Sequence, residues 1–335
     1  ENTFDDGLFL PLFDENEGAV FVEPLVEDII GLGATSLMVA SENVGKSALA
    51  VDLCHKLVTG QTWGGKRVHP GLGQIRALYC AFEGINSVRM RFRQFNRAEL
   101  DGAVDLLDTT QIPQALATAE ARQGVFEAIK LHVEEYGNYH LIVVDTLAEA
   151  TPGLDENSTD LGAVISWTKQ VATMAGGHCL VIHHRAKASQ GSRGHTSVPG
   201  AADTIFLVDP DPKDDAAAIL RISKQRDFPT KGLKLRFEIG CHEFPQKNVF
   251  GSPYTVPVVE YTSEFAYDVD GPTARERIVE YIAGEPNGEF SGSQKALAEL
   301  LEVSQKTVSR KLADLVADGE LQKIGKTYKF LLPKE

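Results

Sequence analysis

The stretch VASENVGKSALA, residues 39–50, joins the end of an apolar run, TSLMVA (35–40), to a segment with helical periodicity. A strand that turns tightly into a helix through GKS presents backbone N–H groups at a helix start, where partial positive charge favours phosphate oxygens. In that setting Lys46 reaches the β- and γ-phosphates of a nucleotide and the Ser47 hydroxyl ligates Mg²⁺. Ala40 stands where such loops usually open with glycine, and Asn43 where many carry another. Ala is small, and Asn tolerates positive φ best after Gly. Residues Ala40, Ser41, Glu42, Asn43, Val44, Gly45, Lys46, Ser47 and Ala48 are therefore expected to cradle the phosphates. A chance GKS at a helix start is the bland alternative.

Three further runs rich in β-formers, IRALYCAF (75–82), YHLIVVD (139–145) and HCLVIHH (178–184), alternate with segments of helical period. Helices are predicted over 46–59, 86–96, 119–136 and 158–175. The alternation predicts an α/β fold of right-handed βαβ units on a parallel sheet. After residue 200, DTIFLV, AAILRIS and LKLRFEI are joined by turns too short for helices, so they are expected to extend the sheet in antiparallel fashion. The Pro- and Gly-punctuated 240–272 region reads as an edge and a linker. From Thr273 three short helical segments and a hairpin about a Gly turn predict a small winged helix-turn-helix, with Ser304 as N-cap of its third helix.

A phosphate loop needs a carboxylate at a neighbouring strand end to orient Mg²⁺, and LIVVDT supplies Asp145. YCAFEG places Glu83 at another strand end, where a carboxylate polarises the attacking water. A carboxylate that merely ends a strand, or a solvated Glu in a loop, is the alternative in each case.

The ordered set SENVGKSALA, AFEG with RMRF, VVDTLAEATPGLDENSTDLG, VIHHRAK, SRGHTSVPGAADTIFLV and SKQRD resembles the RecA-like hexameric helicases, above all the RepA-like group of plasmid and phage replication ATPases. The resemblance runs over about residues 20 to 245. It implies a RecA-like P-loop ATPase core (31–265); charge and periodicity set an acidic N-terminal segment (1–30) before it and the winged helix domain (272–335) after it. It further implies ATP and Mg²⁺ as cofactors, single-stranded DNA as partner and a homo-hexameric ring. Lys224 and Arg226 of SKQRD match the pair that reaches the γ-phosphate of the adjacent subunit, and a trans-acting cation of this kind is worth orders of magnitude in rate. His184 matches the γ-phosphate sensor, with His183 as second choice. The loops 148–160 and 185–200 are expected to face the channel, the second contacting DNA through Arg185, Lys187, Arg193 and His195. A basic strand end, a plain histidine and a surface loop remain the respective alternatives.

The net charge of −14 opposes a nucleic-acid partner at first sight, since phosphates reward Lys and Arg. The surplus is local: residues 1–44 hold ten acidic residues and no Lys or Arg. In the third helix of the C-terminal segment, Lys306 and Arg310 are expected to enter a major groove, with Lys323 and Lys326 on the wing. Protein docking is the open alternative for this domain. The hydrophobic content of 43% and charged content of 24% are globular values. No apolar run approaches the ~20 residues of a membrane helix, and a cytoplasmic protein is expected. Cys54, Cys80, Cys179 and Cys241 are scattered without a CxxC pair and read as buried thiols. The chain starts on Glu1 rather than Met, so a trimmed start with further N-terminal domains is expected. Together these readings predict an ATP-hydrolysing DNA motor, the rivals being a non-motor ATP-dependent DNA-binding switch and a nucleotide-binding scaffold with little turnover.

Overall fold

The computed structural model describes residues 21–41, 43–109, 116–154, 159–184, 201–267, 274–301, 303 and 305–331. The predicted runs become strands β3 (Thr35–Ala40), β4 (Ala77–Ala81), β6 (Leu141–Asp145) and β7 (His178–His184). The intervening segments become helices α1 (Lys46–Val58), α2 (Ile85–Phe92), α4 (Ala119–Tyr136) and α6 (Thr159–Met174). Further along come β8 (Thr204–Asp211), β9 (Asp214–Gln225), β10 (Lys234–Lys247) and β11 (Pro253–Tyr261). Four pieces were not foreseen: the hairpin β1 (Pro24–Val26) and β2 (Ile30–Gly31), the short helices α3 (Arg97–Leu100) and α5 (Leu147–Ala150), and strand β5 (Val104–Asp108).

Among the described residues the main sheet has nine strands in the order β11-β10-β9-β8-β3-β7-β6-β4-β5. From β8 to β5 all neighbours are parallel, and β8 to β11 run antiparallel to one another. The region 240–272, expected as edge and linker, holds the end of β10 and the edge strand β11. The pleat divides β3 between two cores. Met38 and Ala40 join α1 and α2 on one face, whereas Leu37 and Val39 join α4 and α6 on the other. Burial on both faces explains why these strands read as unbroken apolar runs. Each fully buried Leu, Ile or Val contributes about 1.5–3 kcal/mol.

The lower end of β3 is tied by one carboxylate. Buried Asp203 accepts from the Thr35 backbone N–H (3.1 Å), from Lys169 Nζ (3.2 Å) and from Arg226 Nη1 (2.7 Å). Gly177 makes the turn into β7, where a Cβ would meet the Tyr139 carbonyl oxygen at 2.0 Å.

Residues 274–331 form helices α7 (Ala274–Gly284), α8 (Gln294–Leu300) and α9 (Gln305–Ala317), with strands β12 (Glu289–Phe290), β13 (Leu321–Ile324) and β14 (Thr327–Phe330) in the order β12-β14-β13. Ile278, Ile282, Leu297, Val308, Leu312 and Leu315 make their own core. Ser304 lies outside the described residues. Helix α9 rests on β9 and β10 through charge: Thr307 Oγ1 donates to Glu238 Oε2 of β10 (3.1 Å), Arg310 pairs with the same carboxylate (3.4 Å) and Lys311 Nζ bonds to Asp214 of β9. Beneath them Arg236 bridges Asp211 (2.6 Å) and Asp214 (3.1 Å). Cys54, Cys80 and Cys179 are buried and Cys241 is half-buried; burial pushes the Cys80 thiol up to about 12.

His178 is fully buried at the start of β7, its Nδ1 bonded to the Gly31 carbonyl at 2.9 Å. Burial lowers it from 6.5 to about 4 against the opposing pull of that bond and of Asp203. Between those values the unfolded chain binds the extra proton and the folded chain does not, so stability falls as pH falls through this window. Urea unfolding at pH 7.5 and pH 5 is expected to differ by about 2 kcal/mol from this group alone. His178→Gln is expected to remove that part of the slope, and an unchanged slope would count against the assignment.

Candidate nucleotide-binding site

Strand β3 ends at the fully buried Ala40, and the loop that follows turns back on itself into α1. Asn43 has φ 62° and Gly45 φ 92°, two left-handed residues within three positions. The positive φ favours glycine at 45, and a Cβ there would also lie 2.5 Å from Ile239 Cδ1 of β10, so that side chain would have to shift. Lys46 opens the helix, is only 5% exposed, and donates from Nζ to the carbonyls of Ala40 (3.3 Å) and Ser41 (2.6 Å). The loop thus wraps its own ammonium. Val44 and Ser47 are half-buried and Ala48 is buried; Glu42 lies outside the described residues.

Asp145 ends β6 two strands from β3, 2% exposed. Its Oδ2 accepts from Tyr79 Oη at 2.6 Å, while its Oδ1 is buried and has no hydrogen-bond partner. Burial, then the adjacent carboxylate, raises the Tyr79 phenol far above its usual range, so it stays a donor. An unpaired buried carboxylate oxygen carries a desolvation cost that a hard cation or its water shell relieves. Mg²⁺ therefore fits between Ser47 and Asp145.

Glu83 follows β4 and is 60% exposed, with Oε2 3.9 Å from His184 Nε2 at the end of β7. The backbone N–H groups of Phe82 and Glu83 donate to the Asp145 carbonyl, which locks this turn to β6. Lys46, Ser47, Glu83, Asp145 and His184 line a single cavity of about 340 Å³. His183 does not line it. Successive strand residues point to opposite faces, and His183 is buried.

Four further lining residues escaped the sequence reading. Ser87 and Arg91 come from one face of α2, four positions apart, and the buried Arg91 Nε has no hydrogen-bond partner. RMRF was singled out, but its two arginines could not be told apart without the helix. Ile239 and Pro257 close the cavity from β10 and β11. No local signal marks them, since their role depends on a sheet that curls back over the phosphate loop.

Lys224 and Arg226 do not reach this cavity in their own chain. Gln225 pairs with Thr204 at the start of β8, which places both at the end of the sheet opposite the phosphate loop. Lys224 Nζ donates to the Ala202 carbonyl at 2.5 Å, and burial, then Arg226, lowers its pKa. Arg226 is 50% exposed and held by Asp203.

Among the DNA-contact candidates, Arg185, Lys187, Arg193 and His195 lie outside the described residues. Lys306, Lys323 and Lys326 are exposed, with Lys323 Nζ 5.7 Å from the Tyr328 ring centroid. Arg310, expected on the groove-entering face, is exposed at the surface of α9. It pairs with Glu238, which is 1% exposed, because a buried carboxylate demands a cation. Burial and the neighbouring Asp214 charge raise the pKa of Glu238.

The AAA domain family model AAA_25 matches residues 20–190, just over half of the chain. A search of curated proteins finds no match. Solved structures that resemble it include a KaiC-like protein from the hyperthermophilic archaeon Pyrococcus horikoshii OT3 (17% identity, 64% of this chain and 90% of that one, TM-score 0.46). The RadB recombinase is another (16% identity, 63% and 89%, TM-score 0.44). With its phosphate loop, strand-end carboxylate and parallel sheet in place, the chain belongs to the AAA domain family.

Proposed function

We propose that the chain is a ring-forming, Mg²⁺- and ATP-dependent motor on single-stranded DNA, a replicative DNA helicase of RepA-like type. The observation that carries it is the convergence of Lys46, Ser47, Asp145, Glu83 and His184 on one cavity at the ends of buried parallel strands. In this reading the loop N–H groups and Lys46 bind the β- and γ-phosphates, and Ser47 and Asp145 hold Mg²⁺, which neutralises charge on the transferred group. Glu83 accepts a proton from the attacking water. His184 senses the γ-phosphate and passes its loss to residues 185–200, which follow it directly in the chain. Arg226 and Lys224 act on the nucleotide of an adjacent copy, since their own chain holds them at the far end of the sheet. The three helices and three strands of 274–331 support the winged helix reading, with duplex DNA or a protein as target.

One observation favours a second reading, a nucleotide-controlled DNA-binding switch without motor action. Consecutive residues of β10 serve two sites: Ile239 abuts Gly45, and Glu238 anchors Thr307 and Arg310 of α9. Nucleotide that displaces Ile239 would loosen α9 and free its exposed basic face.

ATP hydrolysis measured with and without single-stranded DNA tests the first reading. Lys46→Ala is expected to abolish turnover, and Glu83→Gln to cut kcat about 10²- to 10⁴-fold with nucleotide binding retained. Equal rates for Lys46→Ala and the native chain would remove any catalytic role for the loop. Gly45→Ala is expected to weaken nucleotide binding at least about tenfold by calorimetry, through backbone strain and the Ile239 contact.

Mixing two inactive variants, Lys46→Ala and Arg226→Ala, is expected to restore about a quarter of the interfaces, because each supplies what the other lacks at a heterologous contact. No recovery would confine Arg226 to its bond with Asp203. Strand separation separates the motor from the switch: nucleotide-dependent duplex binding that Lys311→Ala makes nucleotide-independent, without unwinding, would select the switch.

A further inference from the structure

A cavity near the sheet edge has no part in the nucleotide site. It measures about 760 Å³ and lies between α2, α3 and the edge strand β5. Phe92, Phe95 and Leu106 floor it; Arg89, Arg93 and Arg97 rim it, against a single lining carboxylate, Asp101. All three arginines are exposed, and among the described residues none of their guanidinium groups has a hydrogen-bond or ion-pair partner. Strand β5 pairs only with β4, so its outer backbone edge is open among the described residues. An apolar floor, a cationic rim and an open strand edge together suit an extended acidic peptide with large apolar side chains. A row of phosphates would satisfy the rim alone and leave the floor without a partner.

We propose that the occupant is the chain's own acidic N-terminal segment, residues 1–20. That segment carries Glu1, Asp5, Asp6, Asp14, Glu15 and Glu17 and no Lys, Arg or His. Interleaved with them are Phe4, Leu8, Phe9, Leu10, Leu12 and Phe13. Phe9 and Phe13 fall on the same side of an extended chain, facing the floor, and the flanking carboxylates meet the arginines. Reach suffices. Hairpin β1–β2 leads into β3, and β5 is four strand spacings away, about 19 Å at ~4.8 Å each. The eight residues from Phe13 to Phe21 span up to about 26 Å. A tether of this length gives an effective concentration in the millimolar range, which favours the chain's own segment over that of another copy in dilute solution. Docking there covers both an apolar groove and an unpaired strand edge that would otherwise invite association.

The test uses the full chain with photoreactive benzoylphenylalanine at position 9, irradiated at submicromolar concentration as a mixture of light and ¹⁵N-labelled protein. The expected product links position 9 to peptides within 89–106, with both ends carrying the same isotope. Arg93→Glu with Arg97→Glu is expected to cut the yield at least about fivefold, and adding Asp14→Lys with Glu15→Lys to restore it in part. Rescue by the charge swap separates recognition from misfolding. Links outside the groove, an absent link, a yield indifferent to charge reversal, or mixed-isotope links that assign the groove to a second copy would each overturn the proposal. So would displacement of the segment by a single-stranded oligonucleotide, which would make nucleic acid the occupant.

Discussion

The register of the parallel strands is the constraint on which the site depends. Ala40 lies opposite His184, and Ala81 opposite Asp145, so the phosphate loop, His184, Asp145 and the Glu83 turn leave the sheet at one edge. Side chains alternate along each strand, and a slip of one residue would send Asp145 and Tyr79 to opposite faces of the sheet. Burial on both faces forbids that slip, because it would exchange the sets of residues that fill the two cores. Core packing and site geometry are therefore one requirement, met by the same side chains.

That requirement explains what could be read from the residues. The central strands had to be apolar on both faces, so TSLMVA, LIVVD and HCLVIHH stood out, and the polar last residues of the latter two marked the candidate site. Strand β5 was not legible. VDLLD is half-buried, with two acidic residues in five, and resembles a turn until β4 is there to pair with it. Arg91 needed the helix that separates it from Arg89. Ile239 and Pro257 belong to strands some two hundred residues from the loop they cover, and sequence spacing carries no trace of such a contact. The pairing of Arg226 with Asp203 was hidden for a similar reason, as the two meet only when β9 folds back on β8.

Charge is distributed by burial as much as by composition. Asp211, Asp214 and Glu238 lie inside, and Arg236 and Lys311 go inside with them. Arg310 reaches Glu238 from the surface, but burial and the Asp214 charge outweigh Thr307, Arg236 and Arg310 and keep the Glu238 pKa raised. For Asp214 burial pushes the same way, but the Lys311 bond and further partners outweigh it and hold the carboxyl low. An ionic contact of this kind is a poor glue and a good switch. Breaking it exposes charges that water solvates well, so separation of α9 from β10 costs less than parting an apolar interface of equal area.

The same economy bears on the cation that phosphoryl transfer demands. Among the described residues the cavity lining includes two such cations, Lys46 from the phosphate loop and Arg91 from α2. Arg226 and Lys224 sit at the opposite end of a nine-stranded sheet, half-exposed and fastened by Asp203 and the Ala202 carbonyl. A cation held at the wrong end for its own site is well placed for a neighbour's only in a head-to-tail arrangement, in which the two ends of the sheet meet. In the motor reading, Asp203 then orients the guanidinium while tying down β3, so that the strand carrying the phosphate loop and the residue completing the next pocket are braced by a single carboxylate.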